Sequence, residues 1–86
     1  MSRYRVEFSA SAARDVRKLE PQVRARILAQ VRALEENPRP QGCRKLVGEQ
    51  SAWRIRVGDY RVLYEVLDRV VTVTVFRVAH GGEAYR

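Results

Sequence analysis

Apolar and polar residues alternate strictly over residues 3–8. Tyr4, Val6 and Phe8 fall on one side and Arg3, Arg5 and Glu7 on the other, which predicts a strand with one buried face. Ser9 then stands where a helix N-cap is needed. Ala12, Ala13, Val16 and Leu19 form a narrow stripe at helical spacing and predict a short helix over 10–19. Pro21 suits the first position of a second helix, where its missing N–H is no loss. Val23, Ile27, Val31 and Leu34 repeat at i, i+4, i+8 and i+11, so this helix has one buried face through about residue 36. Asn37-Pro38-Arg39-Pro40 ends it, because the residue before a proline is driven out of the α region. The charges of the second helix oppose its macrodipole, with Arg24 and Arg26 near its start and Glu35 and Glu36 near its end. Arg32 offsets part of this at i+3 or i+4.

Residues 41–48 form a basic connector with a short extended piece expected at 44–47. The stretch 53–64 then reads as a β-hairpin, two alternating runs around Gly58-Asp59, a pair suited to a tight I′ or II′ turn. That turn sets Val57 opposite Tyr60, Arg56 opposite Arg61, Ile55 opposite Val62, Arg54 opposite Leu63 and Trp53 opposite Tyr64. One face then carries Trp53, Ile55, Val57, Tyr60, Val62 and Tyr64, and the other Arg54, Arg56, Arg61, Leu63 and Glu65. A second hairpin turning at Asp68-Arg69 places Tyr64 opposite Val73 and Arg61 opposite Phe76. It adds Val71, Val73 and Val75 to the buried face and Thr72, Thr74, Phe76, Val78 and His80 to the arginine face. Gly81-Gly82 breaks the last strand.

The resulting order is strand, helix, helix, then an antiparallel meander of three or four strands, an α+β fold. Two amphipathic helices have to cover the apolar sheet face, leaving the arginine face open. Arg56 directly opposite Arg61 is a like-charge cross-strand pair, ordinarily destabilising, and it points to an anion held between them. Arginines that merely solvate an open face are the plainer reading.

Eighty-six residues fit one domain, taken as 1–86, with roughly 60–65% of the unfolded surface buried and a single thin core. The formal net charge of +7 favours a polyanionic partner. Every basic side chain except Lys18 and Lys45 is arginine, whose planar fork suits phosphate, although a codon bias gives the same ratio. One cysteine, Cys43, excludes an internal disulfide, and no Cys/His cluster suits zinc. The start of the chain lacks an apolar signal region and no run is long enough to span a bilayer, so a cytoplasmic protein is expected. Arg54, Arg56 and Arg61 supply phosphate donors and Phe76 a flat ring, the combination that single-stranded nucleic acid requires, and Arg44 and Lys45 extend the basic surface. His80 is the one histidine, the side chain suited to moving protons near neutral pH.

Asn37-Pro38-Arg39-Pro40 before the basic connector, the run Arg54 to Tyr64 around Gly58-Asp59-Tyr60-Arg61, and Arg77-Val78-Ala79-His80 with Tyr85-Arg86 resemble the RelE toxins of type II toxin–antitoxin systems. The resemblance spans essentially the whole chain, and its hairpin is shared with the wider RelE/ParE superfamily. It implies a microbial-RNase-like fold and a ribosome-dependent endoribonuclease that cuts mRNA, restrained by a RelB-like antitoxin. No cofactor or metal is implied. Carried over by position, Arg54, Arg56, Arg61, His80 and Tyr85 form the catalytic set. The chain departs from the pattern at Gly81-Gly82, where many relatives carry basic residues. A ParE-like protein that inhibits DNA gyrase without cutting, and a basic RNA-binding module of attenuated activity, are the alternatives.

Overall fold

The computed structural model describes residues 3–81. Two helices pack on one five-stranded sheet, an α+β fold. The chain runs β1 (Arg5–Phe8), α1 (Ala10–Arg17), α2 (Pro21–Ala33), β2 (Arg44–Lys45), β3 (Ala52–Val57), β4 (Tyr60–Leu67), a single 3₁₀ turn (Asp68–Val70) and β5 (Thr72–His80). The strand order is β1-β5-β4-β3-β2, so the helical hairpin carries the chain from one edge of the sheet to the other. β1 lies parallel to β5, and β2 to β5 form the antiparallel meander.

Both helices start and stop for local reasons. Ser9 accepts the Ala12 N–H on its Oγ at 3.1 Å, an N-cap bond typically worth about 1 kcal/mol. Arg24, near the start of α2, reaches back over the end of α1 and donates to the carbonyls of Val16, Arg17 and Leu19 at 3.2, 3.3 and 2.8 Å. Its charge thus opposes the dipole of its own helix but satisfies orphan carbonyls at the negative end of another. α2 ends at Ala33, three residues before the expected limit, and residues 34–36 continue as turns.

Ile27 and Val31 from α2, Leu34 just past its end, and Ala12 and Val16 from α1 meet Ile55, Val57, Val62, Tyr64, Val66, Val73, Val75 and Val78 in one core. Tyr64 is fully buried, and its hydroxyl donates to the Pro38 carbonyl at 2.8 Å. Burial pushes its phenol well above the ordinary tyrosine range. On the surface, Asp68 accepts Tyr4 Oη–H at 2.6 Å and Arg39 Nη2–H at 2.7 Å. These bonds hold the Asp68 carboxyl below its usual value and raise the Tyr4 phenol. Arg39 also stacks over the Trp53 ring at 5.3 Å, which ties the proline segment after α2 to β3 and to the turn before β5.

The β3–β4 hairpin has the expected register from Trp53↔Tyr64 through Arg56↔Arg61 to Val57↔Tyr60, with Gly58 at φ +61° in the turn. The second hairpin differs. Its connection spans 68–71, with Val71 in the left-handed region at φ 49°, instead of two residues at Asp68-Arg69. Val71 therefore lies in the turn and not on the buried strand face. Its carbonyl accepts the Arg5 N–H at 2.9 Å, which starts the β1–β5 pairing. Tyr64 faces Val75 instead of Val73, and Arg61 faces Ala79 instead of Phe76. Two extra turn residues leave the faces of Val73 and Val75 unchanged. A bulge then breaks the ladder, since Tyr64 pairs with Val75 but Leu63 with Arg77, leaving Phe76 as the extra residue. Beyond it every side chain changes face. Val78, expected on the arginine face, is 4% exposed and belongs to the core. The Val78 N–H, past the end of β1, donates to Asp15 Oδ2 of α1 at 2.9 Å.

Candidate nucleic-acid interface

The sheet face away from the helices is built in two lateral rows. The first pairs Arg44 with Arg54, Arg54 with Leu63, and Leu63 with Arg77 across four strands. Directly paired residues share a face, so this row sets three arginines beside one leucine. The second row is Arg56, Arg61 and Ala79, two residues further along each strand. The predicted common face of Arg54, Arg56 and Arg61 is therefore present, and Arg77 joins it through the bulge. Sequence alternation missed Arg77. The readable signal is the spacing of Val75 and Val78, three residues instead of two, around Phe76-Arg77.

Arg44, Lys45, Leu46, Val47, Glu49, Arg54 and Leu63 line a cleft of about 500 Å³ on this face. Leu63 is its apolar floor, 5% exposed although it lies opposite the helices, because the 44–49 segment folds alongside it. Arg44 and Lys45 are exposed at the rim. Such a groove, with cations around a short apolar floor, fits a phosphodiester strand with a sugar or base against the leucine.

The two members of the like-charge pair point their charges apart. The Arg61 guanidinium lies at the end of β5, against Gly81. Arg56 is exposed and borders a different cleft, about 360 Å³, with Arg26, Ala29, Gln30, Val57 and Gly58 at the outer edge of β3. This divergence relieves the repulsion that direct opposition would impose. Arg61 Nε is buried and has no hydrogen-bond partner among the described residues.

The remaining candidates are more dispersed. Phe76 borders a cleft of about 200 Å³ with Glu49, Ala52 and Glu65, an acidic corner that shares Glu49 with the Leu63 cleft. His80, expected on the arginine face, pairs with Tyr60 and so follows the face of Val62 and Tyr64. The bulge is the cause. Its ring meets the Tyr60 ring edge-on, 5.6 Å between centroids at 80°, and the residue is exposed. Tyr85 and Gly82 lie outside the described residues. Among the described residues no group of three or more His, Cys, Asp and Glu side chains is placed to hold a metal ion, and no helix is long and apolar enough to cross a membrane.

Residues 6–85 match the family described as the ParE toxin of the type II toxin–antitoxin system parDE. Toxin RelG of Mycobacterium tuberculosis is 37% identical over 87 residues, covering 96% of this chain and 97% of the relative. Among solved structures, a RelBE toxin–antitoxin complex from M. tuberculosis superposes with a TM-score of 0.81 at 32% identity, covering 91% of this chain and 98% of that one. An archaeal RelE–RelB complex from Pyrococcus horikoshii gives a TM-score of 0.83 at 28% identity, covering 98% and 100%.

Proposed function

Since the chain belongs to the RelE/ParE superfamily of type II toxin–antitoxin toxins, we propose that it is an endoribonuclease that cuts mRNA on the ribosome. The observation that carries this reading is the arginine-lined open face, with the Leu63-floored cleft beside Arg54 and Arg61 at its end. RNA holds its own nucleophile. The 2′-oxygen bonds to phosphorus while the P–O5′ bond breaks, giving a 2′,3′-cyclic phosphate and a 5′-hydroxyl. One proton leaves the 2′-OH and one reaches the departing 5′-oxygen. The protein has to align the three atoms and hold the charge that accumulates on the non-bridging oxygens. Arg61 is assigned to the scissile phosphate, Arg56 turns inward to join it, and Arg54 with Arg44 and Lys45 holds neighbouring phosphates. Phe76 offers a stacking ring only to a base that reaches the acidic corner. His80 serves as a proton carrier only if the substrate laps round the end of β5, because its ring lies on the Tyr60 side. Tyr85 keeps the role that the resemblance gives it, as a phenol at the same end of the chain.

Mapping mRNA 5′ ends on programmed ribosomes is the test. Discrete cuts within the codon in the A site are expected, each leaving a 5′-hydroxyl. A second reading is inhibition of DNA gyrase by binding alone, with DNA gyrase as the partner. The ParE match over 6–85 and the turned-away His80 favour it. An SOS response without any new mRNA ends selects that reading instead.

The proposed restraint is a RelB-like antitoxin that covers part of the basic face, as the RelE–RelB complexes among the structural relatives suggest. A partner steered by the +7 charge associates more slowly as salt rises. Stopped-flow mixing is expected to show the association rate constant falling several-fold between low and physiological ionic strength. A rate indifferent to salt removes the electrostatic part of this proposal.

A further inference from the structure

We propose that Gly81 is a positioning residue for Arg61: its missing side chain is the seat on which the Arg61 guanidinium rests. The inference deepens the nuclease reading and rests on it for its catalytic consequence. A Cβ built on Gly81 would stand 3.1 Å from Arg61 Nη1, 3.2 Å from Cζ and 3.3 Å from Nη2. Three nearly equal distances mean that the planar group faces the glycine broadside instead of touching it with one tip. Contacts this short are tighter than an ordinary van der Waals approach, so any side chain at 81 has to displace the guanidinium by a few tenths of an ångström.

The seat is fixed from below. Gly81 N–H donates to the Asp59 carbonyl at 2.8 Å, which ties the end of β5 to the turn that precedes Arg61. Ala79 pairs directly with Arg61, and residue 81 follows it on the same face, so the arginine stem crosses two small residues in succession. Arg61 Nε is buried, which leaves the two terminal nitrogens to meet a ligand. A planar cation that is seated before the substrate arrives loses less freedom when it binds a phosphate.

The departure from the resembled pattern at position 81 then has a physical meaning. The space above Gly81 is occupied by the guanidinium of Arg61, and a basic side chain at 81 would compete with it for position.

Gly81 has no positive φ, unlike Gly42, Gly48 and Gly58, so alanine fits its backbone, and the three atoms nearest its Cβ all belong to the Arg61 guanidinium. Gly81→Ala is expected to lower the single-turnover rate on programmed ribosomes on the order of tenfold, since a misplacement of about 1 Å costs roughly a hundredfold. Half-saturating concentration is expected to change less than the rate, and the melting temperature little. In an Arg61→Ala background the same substitution is expected to have no further effect, because the double-mutant cycle isolates their coupling. Independently of cleavage, the Arg61 Nε–Hε resonance of the free, ¹⁵N-labelled protein is expected to shift in Gly81→Ala. An unmoved resonance, or two additive rate effects, overturns the proposal. A shifted resonance in a protein that cuts no programmed mRNA keeps the seat and overturns the nuclease reading.

Discussion

Arg61→Ala is expected to slow single-turnover mRNA cleavage by about two to three orders of magnitude while leaving the fold intact. The size follows from removing one donor to developing charge in a water-poor site. The stability half of the expectation follows from the structure. Arg61 makes no ion pair among the described residues, stands opposite Arg56, and rests on Ala79 and Gly81 instead of on the core. Its loss removes some stem packing against two small residues, and the opposition to Arg56 is already relieved by the divergence of the two guanidiniums, so both effects are small. Arg61→Lys is expected to recover only part of the rate, since an ammonium cannot make the bidentate contact of a guanidinium. Cleavage kinetics beside a thermal melt decide the matter. Full activity in folded Arg61→Ala takes the residue out of the site, and an unfolded variant makes it structural.

Tyr64→Ala is expected to destabilise the protein by about 3–5 kcal/mol, the range for emptying a large aromatic site in a packed core. For 86 residues at roughly 0.05–0.15 kcal/mol each, that is a large fraction of the whole stability. Tyr64 is fully buried beside Val62, Val66 and Val75, and its hydroxyl satisfies the Pro38 carbonyl across the segment that follows α2. Tyr64→Phe separates the two contributions. It keeps the ring and strands the carbonyl, at about 1–3 kcal/mol. Urea unfolding monitored by circular dichroism gives both values. A Phe variant as stable as the parent shows that water reaches Pro38.

The elements were legible where a periodic pattern met a definite stop. The hairpin register followed from Gly58-Asp59, because a two-residue turn leaves no freedom in what faces what. Ser9 and Pro21 marked helix starts through backbone chemistry that acts within one turn, whereas α2 stops at Ala33, ahead of the Asn37-Pro38 break. The second hairpin was less legible, because Asp68-Arg69 has no residue that demands a tight turn. The chain closes there with a 3₁₀ turn and a left-handed Val71 held by long-range pairing to Arg5. The site was half legible for the same reason. Arg54, Arg56 and Arg61 sit upstream of the irregularity and were placed correctly, whereas His80 and Val78 sit beyond it and were not. Arg24 looked like a misplaced charge because its partners, the carbonyls of Val16, Arg17 and Leu19, lie at and just beyond the end of another helix.

The extra residue at Phe76 gives the protein a form of modularity. The first half of β5, Thr72 to Val75, is bound in phase to β1 and to the core. The second half is phased independently, with Arg77 and Ala79 outward and Val78 inward. Deleting Phe76 closes the bulge and leaves every pairing beyond it in place, since Leu63 still meets Arg77, Val62 still meets Val78 and Tyr60 still meets His80. Deleting Arg77 instead puts Phe76 opposite Leu63, again with Val78 inward. The bulge therefore absorbs the loss of one residue without turning over either half of the strand. In a lineage of such chains, length variation at this point changes which side chain meets Leu63 while both ends of β5 keep the faces they show.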